Sequence, residues 1–280
     1  TTRMHKESHQ VLDLVSLYEP ISKYASEILS AEIIPEIVRK AFKVAESEKP
    51  GGSFISFPEN IAGTLLTADK LPLRVQSASA PRPEPQKVEQ AAQVISAAKY
   101  PIVMAGNGVI RGGASANLLA FAEKLKIPVT TTFMAKGAMP FSHELSLGTV
   151  GLQAHDYVAC GFDRADVIIC VGFDMIEYHP HLWHKTLDKK IIHIDQSNAE
   201  VDEHYMLEGG VIGNIQNSLD DIAALATPKV DLPSSTLRQA IVDELNAFED
   251  DNSFPVKPQR ILTDVRKALN NDDILISDVG

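Results

Sequence analysis

Residues 101–108 read PIVMAGNG, a short apolar run that passes directly into two glycines separated by an asparagine. This pattern predicts a buried strand followed by a glycine-rich loop. Similar runs follow along the chain: IPVTTTF at 127–133, DVIICVGF at 166–173, KKIIHIDQ at 189–196 and GGVIGN at 209–214. Their content of valine and isoleucine is typical of parallel strands that are buried on both faces of a sheet.

Segments with helical periodicity separate these strands. The clearest spans residues 84–100, where Val88, Ala91, Ala92 and Ile95 fall on one face. Three further helices are predicted at 113–126, 157–165 and 215–226. Because strands alternate with helices and such crossovers are right-handed, the predicted fold class is α/β, with a doubly wound, mainly parallel sheet covered on both faces.

This regular pattern occupies the middle of the chain, and partial α/β segments flank it. The predicted divisions are a first segment at 1–61, a proline-rich linker at 62–84, the α/β domain at 85–228, a linker with a surface helix at 229–257, and a last segment at 258–280. The first segment carries one amphipathic helix at 30–47 and a short strand at 54–57. The last segment is predicted to be a helix followed by a strand at 274–278.

The composition excludes several classes of partner. The net charge is −11 at pH 7 and the pI is about 5.3, which argues against nucleic acid and against an anionic membrane surface. No apolar stretch approaches the length of a membrane span. The two cysteines, Cys160 and Cys170, are too few for a disulfide scaffold and are predicted to be reduced core thiols. The acidic balance is common in cytoplasmic enzymes, and we expect a cytoplasmic protein.

The loop after the first strand of the α/β domain is the first candidate site. Gly106, Asn107 and Gly108 would let a phosphate approach the backbone, and the next helix would begin there. The spacing to the glycines at 112 and 113 does not match the dinucleotide-binding fingerprint. Contact with a phosphate or nucleotide and a plain turn with a helix cap are about equally compatible with these residues.

Two later strand ends offer acidic candidates. Gly172 and Asp174 follow the strand at 166–173, and Asp195 ends the strand at 189–196. Ligands bind at the carboxyl ends of parallel strands, where Asp195 could reach a ribose hydroxyl, although an aspartate there is also an ordinary helix cap.

Three histidines, His179, His181 and His184, lie within six positions beside Trp183. Their spacing does not match that of a helical metal-binding pair, and a solvent-facing polar turn is the preferred interpretation.

Several strings in the chain resemble thiamine diphosphate-dependent enzymes of the acetolactate synthase type. They include KESHQVLDLVSLYEPISKY at 6–24, TTFMAKGAMPFSHELSLGTVG at 131–151 and IIHIDQSNAEVDEHY at 191–205. The stretch GFDMIEYHPHLW at 172–183 is most similar to catabolic, flavin-independent synthases, which carry a similar E-Y-x-P-x-x-W. Anabolic synthases usually have Arg-Phe-Asp at this strand end. Gly172 replaces that arginine, which argues against FAD binding.

The resemblance implies a domain assignment and a function. Residues 1–61 would be the C-terminal part of a pyrimidine-binding domain, 85–228 the flavin/NAD-binding-like central domain, and 258–280 the start of a pyrophosphate-binding domain. The parent enzyme would condense two pyruvate molecules to 2-acetolactate with loss of CO₂, using thiamine diphosphate and Mg²⁺, as a homo-oligomeric dimer or tetramer. The family's cofactor-activating glutamate and its Mg²⁺-binding segment have no counterpart here. The resemblance thus implies an inactive fragment that holds no cofactor tightly.

Within the chain, Gln10 matches a family glutamine near the thiazolium ring and is the one catalytic candidate. A solvated polar residue is an equally good interpretation of Gln10. Two other functions stay open: a nucleotide- or FAD-binding module, and a fragment of another thiamine diphosphate enzyme, such as a pyruvate oxidase or a 2-oxo acid decarboxylase.

Overall fold

The computed structural model describes residues 11–66, 71–76, 79–151, 161–230, 234–270 and 272–278. The candidates Gln10 and Cys160, and the first residues of the helix predicted at 157–165, lie outside these ranges. The chain divides into two compact units, Thr1–Ala80 and Pro81–Gly280. In the described part of the chain, every helix is too short or too polar to cross a membrane.

The first unit contains a small parallel pair of strands packed with helices. Its elements are α1 (Leu14–Tyr18), β1 (Tyr24–Glu27), α2 (Ile34–Glu46), β2 (Ser53–Ser56) and α3 (Glu59–Ala62). Tyr24 lies opposite Ser53 in the parallel pair. The helix and strand predicted from the sequence are confirmed as α2 and β2, whereas β1 was not predicted.

The second unit contains a six-stranded parallel sheet. Its elements are α4 (Pro85–Ala97), β3 (Pro101–Ala105), α5 (Asn107–Arg111), α6 (Ser115–Leu125), β4 (Val129–Thr132), β5 (Ser146–Val150), β6 (Val167–Val171), α7 (Pro180–Trp183), β7 (Lys190–Asp195), β8 (Leu207–Ile212), α8 (Ile215–Leu225), α9 (Ser234–Asn246) and α10 (Pro258–Ala268). The strand order is β5-β4-β3-β6-β7-β8, and all neighbours run parallel. The predicted α/β class with a doubly wound parallel sheet is confirmed.

Both faces of this sheet are covered, because successive side chains along each strand point to opposite sides. On one face, Val103, Ile169 and Ile192 pack with buried residues of α4, α6 and α8. On the other face, Met104 and Ile168 lie in a core rich in aromatic side chains, namely Phe162, Phe173, Tyr178, Trp183 and Tyr205.

A single aspartate fixes the amino ends of the central strands. The Asp166 carboxylate accepts hydrogen bonds from the backbone N–H groups of Lys99, at 2.7 Å, and Tyr100, at 2.8 Å. The Asp166 carbonyl accepts from the N–H of Lys190 at 3.0 Å. Asp166 therefore holds the start of β6 against the starts of β3 and β7.

Two segments differ from the sequence prediction. β5 forms at Ser146–Val150, where the sequence predicted no strand, and pairs with β4 as an edge strand. The strand predicted at 274–278 does not form. No described strand pairs with these residues, and the side chains of Ile274 and Ile276 are 87% and 89% exposed. An apolar run without a hydrogen-bonding neighbour has nothing to hold it in a strand.

Candidate functional site

The strand order creates one topological switch point, between β3 and β6. From β3 the chain continues to β4 on one side, and from β6 it continues to β7 on the other. In doubly wound sheets, ligands bind outside the carboxyl ends of the strands at this position. The two glycine-containing loops singled out from the sequence, after Ala105 and after Val171, meet here.

These loops are in direct backbone contact. The N–H of Gly106 donates to the carbonyl oxygen of Val171 at 2.8 Å, and the N–H of Gly108 donates to that of Gly172 at 2.8 Å. A Cβ atom on Gly106 would lie 2.4 Å from the Gly172 oxygen, and one on Gly108 would lie 2.6 Å from Gly172 Cα. The glycines therefore let two stretches of backbone touch across the switch point.

A buried carboxylate that the sequence analysis did not single out, Glu177, lies at the same place. Both of its oxygens are 3.1 Å from the backbone nitrogen of Asn107. Its Oε1 accepts from the N–H of Asp174 at 3.2 Å, and its Oε2 accepts a short hydrogen bond from the Thr132 hydroxyl. The residue is 3% exposed. Its donors come from the carboxyl ends of β3, β6 and β4.

Burial raises the pKa of Glu177 above its ordinary value, because the charged form loses its hydration. The hydrogen bonds from Thr132 and from the N–H groups of Asn107 and Asp174 oppose that rise. All of these partners donate, so they favour the ionised carboxylate.

The remaining cofactor-binding candidates lie at strand ends, where each serves a local turn. Asp174 donates its N–H to Glu177, and its Oδ1 lies 3.4 Å from the backbone nitrogen of Ile176. Asp195 is buried at the end of β7, and its carboxylate accepts from the N–H groups of Gln196 and Ser197. β7 is separated from β3 by β6, so Asp195 lies one strand away from the switch point.

A second buried polar group lies under β6 and β7. His193 Nε2 lies 3.1 Å from the carbonyl oxygen of Ser197 and so carries a hydrogen, while Nδ1 lies 3.0 Å from the Tyr205 hydroxyl and accepts from it. The thiol of Cys170 lies near the same hydroxyl. Burial raises the pKa of Cys170 to about 12 and raises that of Tyr205 well above its ordinary value, so both groups are protonated at neutral pH.

The histidine-containing turn is only partly exposed. His179 and His181 are exposed, with their Nδ1 atoms 2.7 Å apart. His184 is buried instead: its Nδ1 donates to the carbonyl oxygen of His204 at 2.7 Å, and its Nε2 accepts from the N–H of Lys189 at 3.1 Å. The prediction of a solvent-facing turn is therefore wrong for His184, because the turn is anchored through it.

Residues 88–222 match the central domain of thiamine pyrophosphate enzymes. The chain is 31% identical to a probable acetolactate synthase large subunit of Methanocaldococcus jannaschii over 100% of its own length and 50% of that protein. It is 29% identical to a glyoxylate carboligase of Escherichia coli O157:H7 over 99% of its length and 48% of that protein. It thus spans about half the length of these curated relatives.

A solved structure shares the fold of the central domain and its flanks. The crystal structure of benzoylformate decarboxylase from Polynucleobacter necessarius aligns with a TM-score of 0.75 and 18% identity, covering 97% of this chain and 50% of that one. This likeness concerns the fold, and the sequence matches to the central-domain family and to the two curated relatives show that the chain is related to thiamine diphosphate-dependent enzymes.

Thiamine diphosphate is bound together with Mg²⁺ in full-length enzymes of this kind. Mg²⁺ binds through carboxylate and other oxygen ligands. Within the described ranges, no group of three or more His, Cys, Asp or Glu side chains could hold a metal ion. No catalytic step is assigned to the described residues.

The position of Glu177 was within reach of the sequence. It is the first residue of the E-Y-x-P-x-x-W stretch, and Tyr178, Pro180 and Trp183 of that stretch are buried with it. The indole N–H of Trp183 donates to the carbonyl oxygen of Tyr178 at 3.1 Å. A charged residue at the start of a motif whose other residues are apolar could have marked Glu177 as a candidate buried carboxylate.

Proposed function

We propose that the protein containing this chain is a thiamine diphosphate-dependent synthase that condenses two pyruvate molecules to 2-acetolactate and releases CO₂. The observation that carries the proposal is the extent of similarity to the Methanocaldococcus jannaschii relative. It runs through both compact units and is not confined to residues 88–222.

The catabolic, flavin-independent type is the form of the enzyme that we favour. The stretch from Glu177 to Trp183 carries the E-Y-x-P-x-x-W residues, and Gly172 stands where an arginine precedes Phe-Asp in anabolic synthases. The geometry supports this choice, because Gly172 has a φ of +58° and a Cβ there would lie 2.4 Å from Val109 N. An arginine could not replace Gly172 without moving the loop after β3.

In this proposal the central domain is a scaffold. Thiamine diphosphate, Mg²⁺ and pyruvate would be bound by parts of the protein other than the described residues, in a homo-oligomer of two or four subunits. We propose that the 280 residues by themselves turn over no pyruvate and retain no cofactor tightly.

The decisive experiment uses the product of the complete gene, supplied with thiamine diphosphate, Mg²⁺ and either pyruvate or glyoxylate. We expect consumption of pyruvate, release of CO₂ and a product that yields acetoin after acid treatment, since 2-acetolactate is a 3-oxo acid that loses CO₂. The 280-residue chain is the matched control and should be inactive. Failure of the complete protein to use pyruvate would contradict the proposal.

Ligation of glyoxylate is the second candidate, favoured by the similarity to glyoxylate carboligase over nearly the whole chain. Preference for glyoxylate over pyruvate in the same assay would select it. A nucleotide-binding role is tested separately by titrating the chain with FAD. We expect no binding, because the backbone contact between Gly108 and Gly172 leaves little room at the switch point.

A further inference from the structure

We propose that the Glu177 carboxylate is an internal anion, placed at the switch point of the central sheet where a ligand of a doubly wound domain would place its phosphate. The side chain would fill a small carboxylate-binding site that the fold itself builds. This inference concerns the central domain alone and goes beyond the proposed synthase activity.

The first support is the origin of the donors. The N–H of Asn107, the N–H of Asp174 and the hydroxyl of Thr132 all point at one carboxylate. They follow or end β3, β6 and β4, three strands that are neighbours at the centre of the sheet. Donors from three strand ends that converge on one point form a site for a single anion, and only the fold brings them together.

The second support is burial without an opposite charge. The donors are two backbone amides and a hydroxyl, and among the described residues no cationic side chain contacts the Glu177 carboxylate. A carboxylate held in this way depends on directed N–H and O–H groups, as a bound phosphate does in nucleotide-binding folds.

The third support is the anchoring of the segment that carries Glu177. Tyr178 and Trp183 are both 3% exposed, and the Trp183 ring packs edge-on against Phe162 and Phe173. His184 fixes the end of the segment through its two ring nitrogens. The Glu177 side chain is therefore carried by a tightly packed turn, which holds its carboxylate in place.

The test removes the side chain and offers a small anion in its place. In the 280-residue chain, Glu177→Ala should lower the thermal unfolding midpoint, and sodium formate should restore it saturably, by about 3 °C at ten times its dissociation constant, when compared with sodium chloride at equal ionic strength. The unaltered chain should show no formate-specific rise. Glu208→Ala, which removes an exposed carboxylate paired with Lys190, is the matched control.

Equal responses to formate in all three proteins would overturn the proposal, as would a Glu177→Ala midpoint equal to that of the unaltered chain. If the alanine variant does not fold, Glu177→Gln decides the question by nuclear magnetic resonance. The amide signals of Asn107 and Asp174 should shift with pH at a common midpoint in the unaltered chain and should lose that shift in Glu177→Gln. Amide signals that do not titrate in the unaltered chain would refute the internal anion.

Discussion

Gly108 and Gly172 join the two central loops of the sheet through one backbone hydrogen bond, with the Gly108 nitrogen 2.8 Å from the Gly172 oxygen. Gly172 also has a φ of +58°, a conformation that side chains with a Cβ rarely adopt. Two separate constraints, conformation and space, therefore act on the same residue.

We expect Gly172→Ala to destabilise the second unit by about 2–5 kcal/mol, from a left-handed backbone penalty of about 1–2 kcal/mol and an overpacking penalty of about 1–3 kcal/mol. Gly113→Ala is the matched control. Gly113 has a φ of +61°, but its nearest contact would be the Gln216 side chain at 3.4 Å. Urea unfolding of both variants separates the two penalties, and equal losses would show that the contact with Gly108 costs nothing.

Glu177 should make stability depend on pH in a defined direction. Its pKa in the folded chain is raised above the ordinary value of 4.5, so the folded state binds this proton more tightly than the unfolded state. The contribution is fully present below pH 4.5 and is lost as pH rises through the raised pKa. Between pH 4.5 and neutrality the free energy of unfolding of the unaltered chain should therefore fall relative to Glu177→Gln. Parallel curves for the two proteins would contradict this expectation.

Cys170 should be unreactive in the folded protein. The thiol is fully buried and burial raises its pKa to about 12, so almost no thiolate is present at pH 8. In a Cys160→Ser background, we expect iodoacetamide to label Cys170 only after urea unfolding. Rapid labelling of the native protein would mean that the core on this face of the sheet opens readily.

The single tryptophan should report on the second unit. Trp183 is buried among aromatic rings and donates its indole N–H to Tyr178, so its emission should be blue-shifted and should move to the red on unfolding. Trp183→Ala should cost about 3–5 kcal/mol through the cavity it leaves. Trp183→Phe keeps part of the ring volume and should cost less, and a larger loss than in the alanine variant would contradict this reasoning.

The sequence was sufficient for the central strands β3, β6 and β7, because they are largely apolar runs that are buried along almost their whole length. It was insufficient where structure depends on distant partners. β5 was missed because Ser146–Val150 contains a glycine with a φ of +85° and gains its strand conformation only beside β4. The strand predicted at 274–278 fails for the opposite reason, since its composition suits a strand and no described strand pairs with it.

The candidate site shows the same limit. The sequence placed Gly106, Asn107, Gly108, Gly172 and Asp174 at strand ends, and the structure brings them to one point. Their use as cofactor ligands stays a prediction, as does that of Asp195 on the adjoining strand. The role of Glu177 was not predicted from the sequence, because its three hydrogen-bond donors lie about 3, 45 and 70 residues away along the chain.

Asp166 and Glu177 accept hydrogen bonds at opposite ends of the same strands. Together they affect the register in which the strands of the sheet align. Strands made of valine and isoleucine can slide by two residues and still bury equivalent side chains on each face. Such a shift would separate the Asp166 carboxylate from the backbone N–H groups just before β3. It would also separate the Glu177 carboxylate from the N–H of Asn107, which follows the end of β3. Asp166 and Glu177 thus favour one register of the strands, which the apolar side chains alone do not specify. A sheet in the wrong register would lose the hydrogen bonds of both residues and would be less stable.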